Sequence, residues 1–363
     1  MQFDFLDIIG LMSGTSMDGI DISLVKSNGI ELKTLNKNYF YKYSNKTQNI
    51  LKNILNNDIK INLNRKKFLD DFVTTEHYLA IKDLEIIEHC DLIGFHGQTI
   101  YHNAKKNMSV QLGNPKKLAH MLKRDVVFDF RSNDLKHGGE GAPLAPIYHK
   151  FMIKKLNLNL PTCVLNIGGV SNLTYWDGSV LIGFDTGPGN ALMDNYMSLI
   201  SENSYDRNGA FASAGIPVKK EIINFMNHEF FKKSPPKSLD RHTFLNFYQR
   251  LVDSKYSEND IMATLAEFTI ESIIVGIKLL PKKIKNILVV GGGYRNHHLI
   301  SRLKKQLNVT FLDETQLGLN FDYIEAELIA YLSARSIYNL PFTFPSTTGV
   351  PKPLSGGDLY NCL

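Results

Sequence analysis

Tryptophan occurs once in 363 residues and cysteine three times, and neither builds a framework. Cys90, Cys163 and Cys362 stand far apart, at spacings that suit neither a metal site nor a redox pair, so they read as free thiols of a reducing compartment. No run approaches the roughly 18 apolar residues that a membrane span requires. The first seven residues hold Asp4 and Asp7 and no basic residue, so no secretory signal is expected and the expected compartment is the cytoplasm. No Gly-Lys-Ser or Gly-Lys-Thr closes a glycine loop, which excludes a Walker loop, and the Gly-x-Gly-x-x-Gly spacing of a dinucleotide fingerprint is also missing. Positive charge of one place is lacking too. The net charge is +5, but the lysine pairs, from Lys66-Lys67 to Lys304-Lys305, are scattered along the chain. Scatter of that kind reads as solvated surface, so nucleic acid is not an expected partner.

What is present is an ordinary globular balance, 43% apolar and 21% charged, in a chain long enough for two domains. Strand signals at Ile8–Met12 and Ile20–Leu24 flank a Ser/Gly/Thr/Asp-rich bend and read as a hairpin. Helical stretches at Thr47–Leu55 and Phe68–Leu84 precede strands at Asp91–Phe95, Met108–Leu112 and Val126–Phe130. The turn-rich passage Arg131–Pro146 is a suitable place for the chain to cross between domains. A second glycine-rich hairpin follows, Cys163–Ile167 and Val170–Trp176 around Gly168-Gly169, then a strand Val180–Phe184 ending in the loop Asp185–Asn190. Ser201–Asp260 shows only loose helices. Ile261–Leu280 reads as a long amphipathic helix stopped by Pro281, Asn286–Val290 as a strand, and Asp322–Tyr338 as the last helix. Strands interleaved with helices give the α/β class.

Three segments can hold a nucleotide. In Gly10–Asp21, small residues let backbone amides approach an anion and Ser13, Thr15 and Ser16 add hydroxyl donors; Asp18 beside a polyphosphate suggests a hydrated Mg²⁺ between them. Asn166–Leu173 has the same chemistry without the carboxylate. Leu288–Asn296 is strand, Gly291-Gly292-Gly293, helix, which sets bare backbone at a helix N-terminus. Each alone also reads as a plain turn. Together they place phosphates near Gly14, Thr15, Ser16, Met17 and Asp18 and near Gly168-Gly169, with the base near Gly291–Gly293. Asp185-Thr186-Gly187 is also the aspartic protease tripeptide, but it stands once and runs into Pro-Gly-Asn, whereas that chemistry needs a second carboxylate. His96, His102, His297 and His298 lack a convincing third metal ligand.

These motifs, in order, resemble one family. Met12-Ser-Gly-Thr-Ser-x-Asp-Gly-x-Asp21, His96-Gly-Gln-Thr99, Asp129-Phe-Arg131, Gly138-Gly-x-Gly-Ala-Pro-Leu-x-Pro146, Asn166-Ile-Gly-Gly-x-x-Asn-Leu173, Asp185-Thr-Gly-Pro-Gly-Asn190, Gly291-Gly-Gly-x-x-Asn296 and Glu325-Ala326 are similar to those of the anhydro-N-acetylmuramic acid kinases, in the sugar kinase, actin and heat-shock ATPase superfamily. The resemblance covers Ile9 to about Gly349. It implies an actin-like (ribonuclease H-like) α/β fold of two domains, 1–132 with 342–363 and 133–341, around a cleft. It implies an ATP- and Mg²⁺-dependent conversion of 1,6-anhydro-N-acetylmuramic acid and water into N-acetylmuramic acid 6-phosphate, small-molecule substrates, and a possible homodimer.

Carried over by residue, Asp185 is the general base, and sugar is bound by Ser13, His96, Gln98, Thr99, Asp129, Arg131, Gly141 and Ala142. The nucleotide segment extends over Gly19, Ile20, Asp21, Gly168, Gly169 and Asn296. The residue types agree with this chemistry. Water attacking an anomeric carbon needs a carboxylate base, and a guanidinium such as Arg131 can fork onto a lactyl carboxylate. On the bare sequence Asp185 also reads as a helix-capping Asp, and Arg131 as a surface ion-pair residue. Two readings stand for Glu325: Asp322-Tyr-Ile-Glu325 fits a capping box, and the resemblance has Glu325 help hold the attacking water.

Overall fold

The structure is a computed structural model that describes residues 3–14, 17–56, 63–240, 243–312, 317 and 320–362. In chain order its strands are β1 (Leu6–Ser13), β2 (Gly19–Ser27), β3 (Leu32–Lys42), β4 (Leu92–Asn103), β5 (Met108–Leu112), β6 (Asp125–Phe128), β7 (Thr162–Ile167), β8 (Val170–Trp176), β9 (Leu181–Pro188), β10 (Asn286–Val290), β11 (Thr310–Leu312) and β12 (Asp358–Tyr360). The chain forms two compact units, Met1–Phe151 with Asp322–Leu363, and Met152–Phe321. The expected division at 132/133 and 341/342 shares the discontinuous first unit and differs over 133–151 and 322–341, where the helix Ile324–Ile337 packs against β1, β2 and β4.

In the first unit the described strands follow the order β12-β6-β4-β1-β2-β3, with β5 beside β4. β1 pairs antiparallel with β2 and parallel with β4, and β4 pairs parallel with β6. Ile8, Ile9 and Leu11 make β1 an apolar run, as befits a central strand covered on both faces. The helix Ile324–Ile337 lies on it at close range. A Cβ on Gly10 would overlap the carbonyl oxygen of Ala326, and one on Gly94 of β4 would overlap the Ser333 hydroxyl. Arg335 fixes the far end of that helix, donating Nε to Pro341 O at 3.1 Å and Nη1 to Gly29 O at 2.5 Å.

The second unit repeats the plan as β11-β10-β7-β8-β9. β7–β8 and β8–β9 are antiparallel, and β10 is parallel to β7 and to β11. Its long helix, Glu258–Lys278, is buried almost all round from Ile261 to Gly276, so it is a central helix and not the amphipathic one expected over Ile261–Leu280.

Four readings of the sequence are corrected. β4 does not stop at Phe95 but continues through His96–Asn103, bulged where its register with β5 shifts between Thr99 and Tyr101. Asp185 lies inside β9 and not in a loop after it. The strand β3 has no clear sequence signal, because Lys33, Lys37 and Asn38 mask its alternation on a sheet edge. Two further strands, β11 and β12, have three residues each.

Candidate active site

The β1–β2 hairpin is pinned from beneath by a network the motifs only half reveal. Ser13 Oγ donates to Gln98 Oε1 at 2.5 Å and lies 3.0 Å from the Tyr43 hydroxyl. Gln98 Nε2 donates to Gly14 O at 3.1 Å, and Tyr43 N–H donates to Asp18 O at 2.9 Å. Ser13, Tyr43 and Gln98 are all buried, so their polar groups are spent on tying down Gly14 and Asp18 at the two sides of the bend. Thr15 and Ser16, expected to face phosphate, lie outside the described residues. Met17 is buried in the left-handed conformation (φ 55), while Asp18 is exposed; Gly19 and Ile20 begin β2.

A carboxylate set stands at this end of the unit. Asp21 on β2 is pushed up to about 7, first by burial and then by the charges of Glu325, Asp18 and Asp322. The helix Ile324–Ile337 takes Tyr323 as its N-cap, with no cap bond from the Tyr323 side chain, and Asp322 sits in the 3₁₀ turn Phe321–Tyr323 before it. After burial, the Glu325 charge is the largest influence on Asp21. Among the described residues, no three His, Cys, Asp or Glu side chains are close enough to bind a metal ion directly.

Arg131 joins three of the expected sugar-binding segments. Its Nε and Nη2 reach His96 Nε2 at 3.3 and 3.1 Å, and its Nη1 donates to Gly141 O at 2.8 Å. A guanidinium only donates, so His96 Nε2 is the acceptor and its Nδ1–H donates to Gly97 O at 3.0 Å. Burial, then the Arg131 charge, pushes His96 down to about 3, which keeps it neutral. Asp134, unread in the sequence, ties this corner down: it accepts Gly141 N–H and the Thr348 hydroxyl, each at 2.6 Å. Thr99 accepts from Gln111 at 3.2 Å. Ala142 is half-buried next to Gly141. Asp129 turns aside to cap Ser132, at 3.2 Å from its N–H and 2.6 Å from its hydroxyl, and lines a polar cavity of about 210 Å³ with Ser132, Asn133 and Lys136.

In the second unit Asp185 faces Asn172 across β8–β9 and is buried. Its N–H donates to Lys237 O at 2.9 Å, and its Oδ2 accepts Leu239 N–H at 2.8 Å. It caps no helix: the following helix, Ala191–Ile200, begins after Asn190. Gly168 and Gly169 offer their carbonyls to Asn190 N–H at 2.7 Å and Gly189 N–H at 2.9 Å. Gly291 sits at φ +81 where a Cβ would overlap Asn166 Oδ1, so the triple glycine presses against the end of β7; Gly293 does the same on Ile167, while Gly292 is open. A 3₁₀ turn, Gly292–Arg295, separates the glycines from the helix His297–Gln306, and Asn296 caps that helix by accepting Leu299 N–H at 3.1 Å.

A three-strand antiparallel meander extended by two parallel strands, present twice, is the arrangement of actin-like, ribonuclease H-like ATPases and sugar kinases. The particular family follows from the sequence. The model of the anhydro-N-acetylmuramic acid kinase family matches residues 6–362, and the chain belongs to that family. A protein of that name from Nitrobacter winogradskyi is 37% identical over 96% of this chain and 98% of its own. Another, from Azorhizobium caulinodans, is 39% identical over 97% and 98%. Among solved structures, component A of (R)-2-hydroxyglutaryl-CoA dehydratase from Acidaminococcus fermentans is similar over 91% of this chain and 99% of that one, with a TM-score of 0.44 and 11% identity.

Proposed function

We propose that the protein uses ATP and water to convert 1,6-anhydro-N-acetylmuramic acid into N-acetylmuramic acid 6-phosphate, with Asp185 as the general base. The observation that carries this reading is the grip on Asp185: a buried strand carboxylate with one oxygen fixed by a backbone N–H is preorganised to take a proton from water. The proton goes to Asp185, the oxygen of water bonds to the anomeric carbon, the bond from that carbon to the 6-oxygen breaks, and the 6-oxygen takes the γ-phosphoryl group as ADP leaves. Phosphoryl capture balances the charge on the departing oxygen, so one base suffices.

Glu325 orients the water, and Arg131, aligned by neutral His96, offers a planar fork to the lactyl carboxylate. The phosphates meet the Gly14–Asp18 and Gly168-Gly169 bends, and the base of the nucleotide lies at Gly291–Gly293. The carboxyl groups of Asp18, Asp21, Asp322 and Glu325 are hard oxygen donors in mutual repulsion, which fits Mg²⁺ held through water at Asp18. Bound there, the cation would neutralise phosphate charge. The reading also expects a cytoplasmic enzyme; among the described residues no helix is long and apolar enough to cross a membrane.

The test is turnover in ¹⁸O-labelled water with ADP release coupled to the anhydro sugar. Label belongs on the anomeric hydroxyl and none in the transferred phosphoryl, and N-acetylmuramic acid or N-acetylglucosamine should release little ADP. Label in the phosphoryl group would overturn the assignment.

A further inference from the structure

We propose that Asn172 is a catalytic residue beside Asp185: its side-chain oxygen accepts the O–H that the attacking water keeps, while Asp185 takes the other hydrogen as a proton. The proposal rests on Asp185 being the base.

The strand register sets the two side by side. Asn166 of β7 pairs with Asn172 of β8, and Asn172 pairs with Asp185 of β9, so three polar residues form one row across the meander. Their strand neighbours Leu165, Ile167, Leu173 and Phe184 all belong to the apolar core of this unit. Side chains alternate along a strand, so Asn166, Asn172 and Asp185 share the opposite face. Residues paired directly across antiparallel strands hold their Cβ atoms about 4.5–5.5 Å apart, within reach of one bridging water.

Beyond Asp185 the alternation of β9 is reset by a bulge. Asn172 pairs with Asp185 but Ser171 pairs with Gly187, which leaves Thr186 as the extra residue. Thr186 Oγ1 donates to Ser171 O at 3.2 Å. Thr186 and Gly187 both turn to the helix Glu258–Lys278: a Cβ on Gly276 would meet the Thr186 side chain, and one on Gly187 would meet Ser272. Neither follows Asp185 onto the polar face, where its neighbour across the strands is Asn172.

Asn172 brings to that face an acceptor without a donor. Its Oδ1 is buried, and among the described residues no N–H or O–H reaches it. A buried carbonyl oxygen left in that state costs stability, so its retention calls for a reason. The Asp185 carboxylate beside it is held at Oδ2 by Leu239 N–H at 2.8 Å. Two fixed acceptors, side by side, suit a molecule with two donors. Water bound by both turns its lone pairs away from both, which is the orientation an attack requires. As the water oxygen bonds to the anomeric carbon, one O–H breaks toward Asp185 and the other stays on Asn172, to become the new anomeric hydroxyl. Glu325, which the proposed function sets at the same water, has only that second O–H to share, in keeping with a lesser role.

Asn172→Leu is close in size and deletes the acceptor; Asn172→Asp keeps an oxygen in its place. Asn172→Leu should lower kcat by about 10- to 100-fold, with KM for the sugar near wild type, because the amide touches water and not sugar. A second measurement reads the resting enzyme. Removing a buried acceptor that has no donor should leave the denaturation midpoint unchanged or higher, whereas an asparagine that served the fold would lower it on removal. Asn172→Asp, assayed at alkaline pH where both carboxylates are ionised, should recover part of the lost kcat. Unchanged kcat in Asn172→Leu, a kcat loss accompanied by a lower midpoint, or an Asn172→Asp as slow as Asn172→Leu overturns the proposal. If Asp185→Asn keeps its turnover, the base reading fails and this proposal with it. If Asp185→Asn loses turnover and Asn172→Leu does not, the base stands and the role of Asn172 falls alone.

Discussion

The first unit gathers carboxylates at its hairpin, whereas the second keeps its hairpin free of them and sets one carboxylate on the third strand of the meander. The backbone plan is otherwise the same: β3-β2-β1 continues into parallel β4 and β6 as β9-β8-β7 continues into parallel β10 and β11. Each meander is backed by one long buried helix seated on small residues, Ile324–Ile337 against Gly10 and Gly94, Glu258–Lys278 against Gly187. Duplicated pairing thus carries unlike chemistry. Apolar runs in the strand centres determine which strands pair, and the residues at strand ends are left free to differ. Charge in the first unit is clustered, with Asp21 raised first by burial and then by three neighbouring carboxylates; in the second, Asp185 lies buried on the third strand of the meander.

The largest effect should come from Asp185 in the second unit. Asp185→Asn can still accept Leu239 N–H but cannot take a proton, so kcat should fall by about 10² to 10⁴ while KM for the sugar changes little. Glu325→Gln in the first unit keeps a hydrogen-bonding group at the water and should lose less. Coupled ADP release on both variants measures the contrast. A Glu325→Gln defect as deep as that of Asp185→Asn would move the proton acceptor to the clustered unit.

Much of this comparison is legible in sequence, for uneven reasons. β10 stands out because it is a short apolar run closed by the triple glycine, and both hairpin bends carry their glycines in plain view. The site motifs are visible because they are dense in small and polar residues. His96-Gly97-Gln98 looks like a turn that ends β4 at Phe95, whereas Gly97 at φ 70 accommodates an irregular continuation of the strand. Tyr43, Asp134 and Lys237 carry no local signal at all. Their partners are 30, 214 and 52 positions away or so, and only the folded backbone brings them to Ser13, Thr348 and Asp185. Lys237 in particular sits in the stretch 201–260, where no periodicity guides the reading.

A second contrast tests how tightly each helix is seated. Gly10→Ala pushes a methyl group into the Ala326 carbonyl, which belongs to helix backbone and cannot turn aside. The cost should be about 1–3 kcal/mol or more, seen as a lower denaturation midpoint. Gly187→Ala meets the Ser272 side chain, Cβ at 2.6 Å and Oγ at 2.7 Å, and only the hydroxyl can rotate away. It should cost less than Gly10→Ala. Equal losses would mean that both helices give way alike and that the close seating of the first unit is not special.

The smallest effect on stability, and the sharpest on function, belongs to Gly168 in the second hairpin. A Cβ there meets nothing nearer than Val170 O at 3.6 Å, and its φ lies outside the left-handed range. Gly168→Ala should therefore leave the midpoint unchanged or raise it slightly, by about 0.4–1 kcal/mol from the stiffer unfolded chain. Its carbonyl can still receive Asn190 N–H, because that bond involves backbone alone. A phosphate that approaches bare backbone would meet the new methyl group, however, and KM for ATP should rise by about tenfold, the equivalent of roughly 1.4 kcal/mol. KM for the sugar, which the proposed function assigns to Arg131 and its neighbours, should stay near wild type. Thermal unfolding and ATP titration on the same preparation separate the two quantities. If the midpoint holds and KM for ATP also holds, the second hairpin is a structural copy of the first without its phosphate chemistry, and the likeness between the units ends at the backbone.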